Sequence, residues 1–233
     1  MVPVPGYVSA VFILTTFASI GFLLRAAKTA GIRSLPTNIL VFVLPLWIFF
    51  QAILSLGGFY QDVSAMPPPM VLTGVAPAVL LIVIYFLFFR TQFIERLPLS
   101  VLTLVHVVRI PVELVLWWLY QSGQVPRVMT FEGMNFDILS GILAPVVYFI
   151  AVRRGNINRG VLIAYNLLGI VLLANIVTIA VMSLPSPMQQ MSFEQPNKAV
   201  LFFPYVWLPT IVVPIVLFSH LASLWKLAKG KTA

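Results

Sequence analysis

The chain contains no cysteine. Disulfides, thiolate nucleophiles, iron–sulfur clusters and cysteine-held zinc are excluded together by that absence. Histidine is nearly as scarce, at two in 233 residues. A three-histidine zinc site and histidine-box iron chemistry therefore cannot be built. The two histidines allow one bis-histidine haem pairing, His106 with His220, and an interfacial place for His220 near the end of the last apolar run is the commoner expectation. Glycine-rich phosphate loops and a G-x-S-x-G nucleophile elbow are also missing. No lysine falls between residues 200 and 225, so a retinal Schiff base there is excluded. No cofactor and no metal is called for.

Charge is the other shortage. Asp, Glu, Lys and Arg make up 9% of the chain, against about a quarter in soluble domains. Hydrophobic residues reach 61% and the mean hydropathy is +1.04. A chain this apolar cannot cover its surface with polar groups, so an all-α integral membrane protein is expected. The net charge of +8 is then read as basic loops facing a cytoplasm, not as a nucleic-acid surface.

Crossing roughly 30 Å of hydrocarbon takes about 20 apolar residues. Seven runs fit, over about 7–25, 36–58, 70–89, 98–120, 136–152, 160–182 and 200–225. Together they predict a seven-helix bundle forming one transmembrane domain across residues 1–233. The fifth run is short and borrows Asn135, Phe136 and Asp137 at its outer end. The opening MVPVPGYVSAVF has no basic leader region and no small-residue cleavage site, so the first run is expected to be a retained span. The loops after runs 1, 3 and 5 and the C-terminal tail hold eleven cations, among them Arg153, Arg154 and Lys231, whereas the opposite loops hold only Arg127 and Lys198. The positive-inside rule places the N-terminus outside and the C-terminus in the cytoplasm. A multi-pass protein of the cell membrane is the expected location.

Within the fourth run, LVHVVRIPVELVLWW, three ionisable residues interrupt the apolar sequence. At 100° per residue His106, Arg109 and Glu113 share one helical face with Trp117 and Tyr120. Facing lipid, an arginine at mid-membrane costs at least about 2.5–3.5 kcal/mol. The stripe should therefore face other helices or a wet cavity. Arg109 and Glu113 are four residues apart, within pairing distance. An internal ion pair that only fixes helix rotation is one reading, and a ligand-binding or proton-linked site is the other. Pro111 cannot donate to the carbonyl of Val107, which leaves a polar group beside His106 and Arg109. Pro45, Pro77, Pro145, Pro204, Pro209 and Pro214 interrupt other runs, so a kinked bundle with internal space is expected.

Asp137 joins the candidates from the start of the fifth run. It either shares a cavity with Glu113 and Arg109 or simply caps its own helix. Asn166 and Asn175 lie nine residues apart on opposite helix faces, so at most one reaches the same seam; Gln51 reads as an interhelical hydrogen-bonding group.

The pattern fits three functions. The first is binding or transport of a small molecule, with Arg109 meeting an anionic group and Glu113, helped by His106, carrying a proton or a cationic group. The second is an embedded enzyme acting on a lipid or isoprenoid-like substrate. The third is a non-catalytic sensor or assembly factor. Membrane lipid, a small-molecule ligand, a membrane-protein partner and a second copy of the chain are the partners these readings admit; nucleic acid is not one of them.

Overall fold

The computed structural model describes residues 4–153 and 157–230. Arg154 and Lys231, which enter the charge asymmetry above, lie outside the described residues, as do the first three residues of the chain. The described residues are all-helical, with no strand. The long helices are α1 (Gly6–Gly31), α2 (Leu35–Leu56), α3 (Val71–Phe88), α4 (Leu99–Gln121), α5 (Ile138–Ala151), α6 (Arg159–Met182) and α7 (Leu208–Ala228). Six of them are long and apolar enough to cross a membrane, and α5 is the exception.

Two helices form the centre of the bundle. In α4 and α7, 61% of the most apolar window is buried, whereas the corresponding share is 22% in α2 and α3. The difference follows from composition. α4 and α7 carry the ionisable and aromatic residues that need protein neighbours. α2 turns Phe42, Leu46, Phe49 and Ile53 outward, as a helix bathed in lipid would.

The interior prolines act in two ways. Around Pro45 and Pro145 the α-helix simply continues. Upstream of Pro77, Pro111 and Pro214 it does not. α3 opens with a π-helical turn over Val71–Val75, α4 tightens to a 3-10 turn over Val105–Val108, and α7 opens with a π-helical turn over Leu208–Val212. Each irregular turn ends two or three residues before its proline, where the missing N–H breaks the hydrogen-bond ladder. Gln51 of α2 repairs one break by donating Nε2 to the carbonyl of Thr73 at 2.9 Å, and its Oε1 accepts from the Tyr60 hydroxyl. The two π-helical turns meet at Gly74, where a Cβ would lie 2.8 Å from Cγ2 of Thr210.

The last apolar run starts later than its hydropathy suggests. Residues 202–207 are mostly turn, and α7 begins at Leu208. Pro204 works against an earlier start, because the residue before a proline is disfavoured in the α region, and Pro209 falls in the first turn of α7, where its missing N–H is no loss.

α5 spans 14 residues, or about 21 Å at 1.5 Å per residue. It is short because it begins deep in the bundle. The segment leading to it descends along α4 in a fixed register. Glu132 accepts from the Trp117 indole at 2.8 Å, Asn135 donates to Glu113 at 2.6 Å, and Asp137 accepts from Arg109 at 2.8 Å. Those α4 partners sit four, eight and twelve residues in from Gln121, or about 6, 12 and 18 Å. Non-helical backbone at such depth is tolerated only where protein or a cavity surrounds it. Met129, Thr130 and Asn135 meet that condition, each being no more than 1% exposed.

Candidate functional site

The stripe on α4 faces inward. His106, Arg109 and Glu113 are 0%, 2% and 1% exposed. Glycine makes the close packing around them feasible. A Cβ at Gly141 of α5 would stand 2.9 Å from Cγ1 of Ile110, and one at Gly169 of α6 would collide with the His220 ring. Groups from α6, α7 and the N-cap of α5 converge on Arg109.

Arg109 does not pair with Glu113 four residues on. Its Nη1 donates to Oδ1 of Asp137 at 2.8 Å. Both Nη atoms reach the carbonyl of Gly169 at 3.4 Å. Nη2 also meets Nε2 of His220 at 3.1 Å. The pairing crosses helices because α5 starts at the depth of Arg109, and a carboxylate there needs a cation. Asp137 occupies the N-cap position of α5, but its side chain makes no capping hydrogen bond. It serves Arg109 instead.

Hydrogen-bond logic fixes the state of His220. A guanidinium only donates, so Nε2 of His220 must accept. The proton then sits on Nδ1 and is donated to Oδ1 of Asn166 at 2.8 Å. Asn166 passes its own Nδ2 to the carbonyl of Leu162 at 2.7 Å. The chain Asp137–Arg109–His220–Asn166 thus ties α5, α4, α7 and α6 together. His106 stacks flat on His220 with ring centroids 3.7 Å apart and planes 12° apart. This face-to-face stack leaves no room for an iron between the rings. Both nitrogens of His106 lack a hydrogen-bond partner.

His220 corrects an expectation. It is not an interfacial residue but is fully buried, 0% exposed. Asn166 faces the same seam, while Asn175 points the other way and donates to the carbonyl of Met134. The spacing of the two asparagines anticipated that division. Nothing local in the sequence marked His220 as a partner of Arg109, 111 positions away. The available signal was a small residue and an amide on one face of α6, Gly169 and Asn166, opposite a histidine in α7.

Above this polar layer lies a cavity of about 470 Å³ between α3, α4, α6 and α7. Arg109, Leu173 and Val216 form its floor, with Glu113 and Asp137 in the wall. Most of the remaining wall is aliphatic. The irregular turns of α3 and α7 contribute Val71, Val75, Leu208 and Val212, so the prolines that unwind those helices also shape the space. Val71, Val177 and Val181 line the cavity and are exposed on the outside of the bundle. The cavity reaches the surface beside these residues, between α3 and α6, and also beside the exposed Pro67 and Met188 of the adjoining loops. Beneath the floor, the stacked histidines and Tyr165 fill the bundle.

Three polar atoms of the cavity residues have no partner: Nε of Arg109, Oε2 of Glu113 and Oδ1 of Asn197. Asn135 holds Oε1 of Glu113, and the carbonyl of Ala180 receives Nδ2 of Asn197 at 3.2 Å. That second contact fixes the amide orientation, since a carbonyl demands the NH₂ group. Among the described residues no cluster of three or more His, Asp and Glu side chains could hold a metal ion.

A family model described as "Domain of unknown function (DUF8737)" matches residues 67–228, a stretch that includes every residue of this site. No curated protein and no solved structure matches the chain.

Proposed function

The chain belongs to the DUF8737 family, whose description assigns no activity, and from that premise we propose that it is a multi-pass membrane protein that binds a small, largely apolar molecule in the cavity between α3, α4, α6 and α7. The observation that carries this reading is the unpartnered Oε2 of Glu113, 1% exposed, in the wall of a space of about 470 Å³. A buried polar atom without a partner costs roughly 1–3 kcal/mol. A ligand supplying the missing hydrogen bond recovers that cost. The size lies within the usual range for ligand pockets, which are mostly apolar with a few placed polar groups.

The residues divide into two roles. Arg109, Asp137, His220 and Asn166 hold the four helices in register. Glu113 meets the ligand. His106 stacks behind the floor and shapes it. Arg109 gives Nη1 to Asp137 and Nη2 to His220 and keeps only Nε unpartnered, so Asp137 already balances its charge. The filled layer beneath the floor favours binding over passage through the bundle. The sideways opening beside Val177 and Val181 favours ligands that arrive from the bilayer.

The bundle is placed in the cell membrane with its N-terminus outside and its C-terminus in the cytoplasm. The asymmetry of Lys and Arg between the two sets of loops supports that orientation. The cavity then lies in the outer half of the membrane.

Native mass spectrometry on gently purified protein tests the binding reading. A retained molecule that leaves in Val213→Phe, a substitution filling the cavity, is the expected result. Identical spectra for the native chain and a folded Val213→Phe variant would refute it.

A further inference from the structure

Charge balance around the cavity narrows the ligand class. Two carboxyl groups and one guanidinium meet here. Arg109 and Asp137 form a direct ion pair at 2.8 Å. His220 is a neutral imidazole, since its Nε2 must accept from Arg109 and its Nδ1 donates to Asn166. Glu113 makes no direct ion pair, and Asn135 supplies its one hydrogen bond at 2.6 Å. An ionised Glu113 would thus carry one negative charge that nothing in the protein matches. A buried charge of that kind is retained only when it is paired and hydrogen-bonded.

A second unpartnered acceptor points the same way. Oδ1 of Asn197 belongs to a residue 1% exposed that lines the same cavity, and its orientation is fixed by the bond to Ala180. A carbonyl oxygen accepts and does not donate. The ligand it suits brings N–H or O–H groups. A carboxylate or phosphate ligand could meet the unpartnered Nε of Arg109, but it would add a third negative charge beside Glu113 and Asp137 where Arg109 supplies the one positive charge. The remaining wall is aliphatic and reaches the outside of the bundle between α3 and α6, where an alkyl or other apolar body would extend.

We propose that the cavity accepts a lipophilic monocationic amine, its ammonium group donating to Oε2 of Glu113 and its apolar body lying toward the α3–α6 opening. The inference rests on the binding reading above. No covalent step is involved. The ammonium supplies the charge that completes the set of Arg109, Asp137 and Glu113.

The test uses three probes with one skeleton: octylamine, 1-octanol and octanoate. Each is titrated against the full chain in phosphatidylcholine nanodiscs, and one-to-one adducts are read by native mass spectrometry. Octylamine is expected to bind at least about tenfold more tightly than 1-octanol, the difference between a charge-assisted and a neutral hydrogen bond. Octanoate is expected to give no saturable adduct. In Glu113→Gln the amine should fall to the level of the alcohol while alcohol binding persists, which also shows that the variant is folded. Val213→Phe should abolish all adducts. Equal binding of amine and alcohol, or tightest binding by octanoate, overturns the amine proposal and leaves the binding site standing. An unchanged amine preference in Glu113→Gln also overturns it. Absence of any saturable adduct with all three probes sinks the proposal together with the binding reading.

Discussion

A single arginine shows how much the sequence discloses and where it stops. The spacing of His106, Arg109 and Glu113 is enough to place them on one inward face, because a 3.6-residue period needs no tertiary information. Their partners are a different matter. Asp137 lies 28 positions from Arg109, and His220 lies 111, so no local rule pairs them. The i, i+4 rule suggested Glu113 as the partner, and it failed because α5 delivers a carboxylate to the same depth. Breaking such a pair by removing one member of a buried set costs about 3–5 kcal/mol. Arg109→Leu and Asp137→Leu should each destabilise by that order in thermal unfolding, and the double variant should be far more stable than the sum of the two losses implies. Strict additivity would show that the two charges are not coupled. Gly169 offers a cleaner contrast at one atom. Gly169→Ala drives a methyl into the His220 ring and should cost about 1–3 kcal/mol. Gly21→Ala meets nothing within 4 Å and should be neutral or stabilising by up to about 1 kcal/mol, since Ala is the better helix former.

Helix boundaries were legible wherever hydropathy alone sets them. The starts and ends of α2, α3, α4, α5 and α6 fall within two residues of the apolar runs. α1 and α7 depart from theirs, α1 by continuing to Gly31 and α7 by beginning only at Leu208. In α7 an earlier start is opposed by Pro204, which hydropathy averages over. The depth at which the short α5 begins has a tertiary cause. Residues 130–137 are polar enough to read as a loop, and only their bonds to Trp117, Glu113 and Arg109 draw them down into the bundle. Asn135 is the middle rung, holding Glu113, the carbonyl of Met129 and the amide of Asp137 together. Asn135→Ala should release the segment from α4. Hydrogen exchange of the amides from 130 to 137 is expected to accelerate at least about tenfold while the interior of α6 stays protected, the pattern of local opening. Unchanged exchange would mean that the descent is held by something other than this amide.

For the molecule as a whole, the lack of cysteine is an experimental asset. Single-cysteine variants can be labelled without background. Ser64→Cys, in the loop between α2 and α3, should react with a membrane-impermeant maleimide on intact cells. Thr91→Cys, in the loop between α3 and α4, should react only after permeabilisation. The reverse pattern would invert the proposed orientation and put the cavity in the cytoplasmic half. The cavity itself was only partly foreseeable. The interior prolines signalled irregular helices, but which turns would unwind depended on Gln51 capturing the carbonyl of Thr73 and on Gly74 meeting Thr210.

The abbreviated α5 also bears on biogenesis. A helix of 14 residues with Asp137 at its N-cap is a poor substrate for independent partitioning from the translocon, being shorter than the roughly 20 residues a span needs and carrying a charge at its end. Arg109, inside the preceding helix, carries a penalty of about 2.5–3.5 kcal/mol of its own. Brought together as an ion pair, the two penalties offset one another. α4 and α5 are thus suited to leave the translocon as a joined hairpin, each supplying the countercharge that admits the other to lipid.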